Sequence, residues 1–276
     1  PGALRGQLHA APGLVRMQCN MFLKITMLVP LFILVGFFLL LVGSQSEFFT
    51  LSGFMEQLFR TEIRSAIALS LVAATCSSAI AIVIAMPSAY ALARFEFPGK
   101  RLFDTFIDLP MVLTPIALGT LILMSWNTVF GQFLAGLGFT LPFTLGGVIL
   151  AQFTVVVAIS VRMLKATFEQ VNPRQEQVAR LLGCTAFGSF IHVTLPLARR
   201  GILAAIILTW ARAIGEFGAT VMVAGTAKGQ TATLPSSIYL AMSMADLPQA
   251  VTLVVILIVI SLLVLFGVRM ALERKR

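Results

Sequence analysis

The sequence predicts an all-α polytopic membrane protein with six transmembrane helices. Apolar residues make up 58% of the 276 and charged residues only 11%, with a mean hydropathy of +0.97, whereas a soluble domain carries about 25% charged residues. Apolar stretches long enough to cross ~30 Å of hydrocarbon recur along the chain. The basic residues then set the orientation: of twenty Lys and Arg, sixteen fall at the two ends and in alternate connections. Arg60, Arg64 and Lys228 fall in the other connections and Arg212 falls inside a span. By the positive-inside tendency both termini are expected in the cytoplasm.

Residues 1–20 contain Pro1, Gly2, Pro12 and Gly13 without a clear period, and are set aside as an N-terminal extension, disordered or derived from processing. Residues 21–276 are read as one transmembrane domain. The first span, 22–43, is uncharged after Lys24; its apolar run exceeds the ~7–15 residues of a signal peptide. Residues 44–64 hold Glu47, Glu56 and Glu62 and read as external, part of them an interfacial helix. The second span, 65–93, carries no charge and ends at Arg94, with a short turn at Phe97-Pro98-Gly99. The third, 102–125, includes Pro110 and Pro115, which free backbone carbonyls that need protein or water to satisfy them. Residues 126–143 form an external loop with a re-entrant or short helical piece. The fourth, fifth and sixth spans are 144–164, 199–225 and 249–268, with 226–248 external.

The longest polar interruption, within a cytoplasmic loop at about 167–198, separates the fourth and fifth spans. Residues 175–182 read as a short helix and Gly183 as its left-handed stop. A second helical run, 185–193, leads to Pro196, which is tolerated in the first turn of the next helix.

Several chemistries are excluded. The net charge of +9 sits at span ends, so it meets anionic lipid rather than nucleic acid. Cys19, Cys76 and Cys184 are widely spaced, and neither a disulfide framework nor a metal site is supported. Gly99-Lys100 is followed by Arg101 and is no phosphate loop. His9 and His192 lie outside the spans, which removes intramembrane metalloprotease and Ser-His chemistry. No cofactor and no enzymatic activity are expected.

Arg212 and Glu216 are ionisable groups within the fifth span, each costing about 2.5–3.5 kcal/mol at a helix centre on insertion scales. At i, i+4 they share a face and can neutralise each other. Two readings stand: a pair that fixes the helix internally, or a pair beside a translocation path, with Arg212 meeting an anion. Gly215 and Gly218 allow close packing or a hinge. Asp104 and Asp108 read as snorkelling side chains at the cytoplasmic interface.

Three segments carry a resemblance. In the cytoplasmic loop, Gln177-Val178-Ala179, Gly183 and Val193-Thr194-Leu195-Pro196 resemble the coupling loop of ABC-importer permeases, with Gln177, Val178 and Val193 replacing the usual Glu, Ala and Ile. Asp108-Leu109-Pro110-Met111-Val112-Leu113-Thr114-Pro115 resembles a third-span segment of molybdate-type permeases. So does Ala211-Arg212-Ala213-Ile214-Gly215-Glu216-Phe217-Gly218-Ala219-Thr220 in the fifth span. The likeness covers roughly 25–270. It implies a type I ABC importer permease for molybdate, with sulfate, thiosulfate or tungstate as the alternative cargo. It further implies a homodimer in a prokaryotic inner membrane, two cytoplasmic ATPase subunits that hydrolyse ATP, and an extracytoplasmic oxyanion-binding protein. On this likeness Glu176, Gln177, Val178, Ala179, Arg180, Leu182 and Gly183 meet the ATPase, while Pro110, Thr114, Pro115, Arg212, Gly215, Glu216 and Gly218 line the path or its gate. A stand-alone channel or secondary carrier is the rival class; the chain shows no internal repeat to support it.

Overall fold

The computed structural model describes residues 11–47, 51–138 and 140–273, and among these the regular structure is helical. The chain divides into two units, at Leu51. The first holds α1 (Ala11–Gly43), followed by a single tight turn at Ser44–Glu47. Helix α1 is longer than the expected span and begins inside the stretch that was set aside as an extension.

The second unit is organised around α3 (Thr61–Arg94) and α7 (Leu145–Glu169), which pack along each other. Helix α3 presents Ala66, Ala73, Ala74, Ala81, Ala85 and Ala89 as buried residues. Small side chains let backbones approach where lipid offers no hydrophobic drive between helices. Polar contacts add to this: Ser77 donates to Gln152 at 3.1 Å, and Ser160 and Thr209 share a bond at 2.9 Å. Helix α2 (Leu51–Leu58) lies in the segment expected to carry an interfacial helix. Near the start of α3, α12 (Leu234–Ser243) packs against α13 (Leu247–Glu273) and α3.

Two expected spans are broken. The third is not one helix: α4 (Lys100–Val112) and α5 (Pro115–Trp126) meet at 109°. A residue before proline is driven out of the helical region, and Leu113 and Thr114 are both extended, with ψ of 142° and 145°. The Thr114 side chain then caps α5 by accepting from the Ala117 N–H. Helix α6 (Val129–Gly136) supplies the short helical piece of the following loop. The fifth span also stops early, with α10 (Leu195–Ile214) and α11 (Gly218–Ala224) separated by Gly215, Glu216 and Phe217. Among the described residues five helices are long and apolar enough to cross a membrane, and the bent pair α4–α5 makes six if it is one span.

Asp104 and Asp108 do not snorkel. Asp108 takes both Arg162 Nε and a terminal nitrogen of the same guanidinium, while Asp104 pairs with Arg162 at 2.8 Å and Lys165 at 3.0 Å. These contacts tie the start of the broken span to the C-terminal end of α7.

Candidate coupling knob and membrane break

The loop between α7 and α10 folds into a knob by local rules. Asn172 accepts from the Arg174 N–H and Pro173 occupies the first turn of α8 (Pro173–Leu181), as suits a residue with no N–H to satisfy. The helix ends as expected at Gly183, φ +95°, where the Cys184 N–H reaches Ala179 O and the Gly183 N–H reaches Arg180 O. Thr185 caps α9 (Ala186–Ser189) by accepting from Gly188. A five-residue π turn, Phe190–Thr194, joins α9 to α10 without interruption, so Ala186–Ile214 is one rod of 29 residues, about 43 Å long. Pro196 sits in the first turn of α10.

The face of the knob is apolar and outward. Leu181 is 87% exposed, Leu182 81%, Phe187 71% and Val178 54%. Gln177, Arg180 and Gly183 are exposed and Ala179 is half-buried. Glu176 stands apart from the group in which the sequence placed it. It is buried, and its carboxylate accepts from Tyr90 at 2.9 Å, Arg94 at 2.9 Å and Thr194 at 2.8 Å. Burial opposes its ionisation, but the hydrogen bonds from Thr194, Tyr90 and Arg94, with the guanidinium charge, outweigh it and hold the carboxyl below its ordinary range.

At its other end the rod stops at the break. Ala213 and Ile214 pack with Val156 of α7, which lies about 16 Å from one end of that helix and about 20 Å from the other. The break therefore lies near mid-membrane. Arg212 and Glu216 pair at 2.7 Å, with Glu216 1% and Arg212 36% exposed. The second Glu216 oxygen accepts from the Ala219 N–H, capping α11. The two broken spans meet here: a Cβ on Gly218 would stand 3.0 Å from Ile116 Cγ1 and 3.1 Å from Pro115 Cβ. Thr114 adjoins this contact, whereas Pro110 lies on α4, before the bend. A Cβ on Gly215 would meet Ala211 O at 3.8 Å and Arg212 O at 4.0 Å, both ordinary van der Waals contacts.

A model of the family described as binding-protein-dependent transport system inner membrane component matches residues 78–276. The chain belongs to that family. This permease is 35% identical over 184 residues to a sulfate transport system permease protein of Synechocystis sp., covering 66% of this chain and 67% of that one. It is 37% identical over 178 residues to a molybdenum transport system permease protein of Haemophilus influenzae, covering 63% and 78%. It is 40% identical over 193 residues to a probable molybdenum ABC transporter permease protein of Haloferax volcanii, covering 68% of each. Among solved structures, a bacterial ABC transporter involved in the import of alginate matches with a TM-score of 0.77 at 16% identity, over 95% of this chain and 98% of that one. The fold is that of a type I ABC importer permease, and the chain is a multi-pass permease subunit of a prokaryotic inner membrane.

Sequence reasoning missed several residues of this permease. Leu181 is the most exposed large apolar side chain of the knob, and its signal was present: Val178, Leu181 and Leu182 stand at i, i+3 and i+4. Gly119 was passed over. A Cβ there would meet Met222 Cβ at 2.7 Å and Ala219 Cα at 2.8 Å, so α5 and α11 touch backbone to backbone. Gly119→Ala is therefore expected to lower the thermal midpoint, at a cost of about 1–3 kcal/mol. Gly215→Ala should leave it unchanged; a thermal melt in detergent checks both.

The Glu176 carboxyl predicts a pH dependence. Its folded pKa is depressed, so its stabilisation is fully present above the ordinary carboxylate value of about 4.3 and is lost as pH falls through the folded value. Between pH 5 and 3 the wild-type melting midpoint is expected to fall more steeply than that of Glu176→Gln.

Proposed function

We propose that this permease carries molybdate, or a related tetrahedral oxyanion, as a homodimer driven by two cytoplasmic ATPase subunits and supplied by an extracytoplasmic binding protein. Both termini lie in the cytoplasm in this reading, as the distribution of Lys and Arg favours. The carrying observation is one continuous helix that begins in an exposed apolar knob and ends at a mid-membrane break. ATPase closure pushes Gln177, Val178, Ala179, Arg180, Leu182 and Gly183, together with Leu181, and the rod delivers that push to the break. There α10–α11 and α4–α5 move against each other, which opens the site alternately to either side. The chain contributes the path and the lever, and ATP is hydrolysed on the partner chains.

Arg212 supports an anionic cargo. A half-buried guanidinium at mid-depth is costly against lipid and so faces water or protein. Glu216 neutralises one side of it and is itself turned inward as a cap, leaving the cation available to the path. Sulfate is the second reading, favoured by the sulfate transport relative.

The docking half is tested by crosslinking. With Cys19, Cys76 and Cys184 replaced by serine, Ala179→Cys is expected to crosslink to a cysteine on the ATPase. No crosslink anywhere on the ATPase in a transporting complex would contradict it. Competition of radiolabelled molybdate uptake by sulfate, thiosulfate and tungstate ranks the cargo.

A further inference from the structure

We infer that Glu176 is a positioning residue that clamps the knob to two helices at once, so that a push on α8 moves the membrane break instead of being absorbed by the loop. The inference rests on the coupling role proposed above. Helix α8 has an unusual means of attachment. Its apolar side chains Val178, Leu181 and Leu182 face outward, and Glu176 is its one buried residue. A nine-residue helix with no hydrophobic underside is held by that carboxylate. It is flanked by a turn at Asn172-Pro173 and by the left-handed Gly183, two places where it can swing.

The carboxylate reaches both neighbours. Arg94, the last residue of α3, donates Nε to Glu176 and a terminal nitrogen to Val171 O at 2.6 Å, binding both sides of the α7–α8 turn. Thr194 lies on the rod itself, at the end of the π turn, and Ser189 on the same rod donates to Glu176 O at 3.3 Å. Tyr90 is fixed in aim by rings on all sides, with Phe190 at 4.6 Å, Phe168 at 5.8 Å and Phe95 at 5.8 Å between centroids. Three donors converge on two oxygens that only accept. An amide keeps one acceptor oxygen for Arg94 and Thr194, but it loses the negative charge that holds the Arg94 guanidinium and meets Tyr90 only if that hydroxyl turns from donor to acceptor.

The test has two independent readings, both in the cysteine-free chain. Nitroxide labels at Arg174→Cys on α8 and Arg199→Cys on the rod report their separation in the chain alone, in nanodiscs. A narrow distance distribution is expected for Glu176, and one at least twice as broad for Glu176→Gln. In proteoliposomes with the ATPase and binding protein, oxyanion imported per ATP hydrolysed should fall at least tenfold in Glu176→Gln and about threefold in Tyr90→Phe or Thr194→Val. Simple loss of folded complex lowers transport and hydrolysis together and leaves that ratio where it was. An equally narrow distribution in Glu176→Gln, or an unchanged ratio in all three variants, overturns the inference. Should no ATPase bind at all, the coupling reading fails, while the distance measurement still decides whether Glu176 is the clamp.

Discussion

Leu181→Asp combined with Leu182→Asp is expected to strip the ATPase subunits from the purified complex while the helical signal of the permease is unchanged. Both side chains are more than four-fifths exposed, so neither substitution disturbs the packing of this chain. Burying a leucine against a partner contributes roughly 1.5–3 kcal/mol, and two of them correspond to at least a hundredfold in affinity, about 2.7 kcal/mol. Pull-down of the ATPase with the tagged permease measures it. Retention at wild-type level would place the docking surface elsewhere.

Arg212→Met should have the largest effect of any single change in the membrane. It leaves the Glu216 carboxylate buried without its partner, at a cost of about 3–5 kcal/mol. Folded yield and transport are both expected to collapse. The double variant Arg212→Met/Glu216→Gln removes both charges, and the glutamine oxygen can still accept from the Ala219 N–H. Stability should then return to within about 1–2 kcal/mol of wild type, since a buried pair replaced whole is often neutral. On the proposed role of Arg212 as the cation that meets the cargo, transport should not return. Uptake by the stable double variant separates the two readings of the pair; full uptake would make it an internal strut.

Legibility in the sequence followed the range of the interactions involved. The stop at Gly183, the entry at Pro196 and the long spans are local matters of backbone conformation and hydropathy, and each is written in a few adjacent residues. The breaks were less legible. Pro110 and Pro115 announce a disturbance, but the 109° turn depends on both Leu113 and Thr114 becoming extended. Asp104 and Asp108 were misread because Arg162 and Lys165 lie some fifty to sixty positions away along the chain. The likeness placed Glu176 with Gln177 against the ATPase; which of the two turns inward is decided by Tyr90, Arg94 and Thr194 on other helices. Gly119 gave no warning, since a lone glycine in an apolar run does not reveal that a second backbone crosses it.

The most direct test of ATP-driven import is ATP hydrolysis by the permease reconstituted with its co-expressed ATPase, with and without molybdate-loaded binding protein. Gly183→Pro is the matched control, because proline cannot adopt the φ of +95° that ends α8. Stimulation by the loaded binding protein in the wild type, lost in Gly183→Pro, is the predicted result. Hydrolysis indifferent to both the binding protein and the substitution, or no associated ATPase at all, would contradict it.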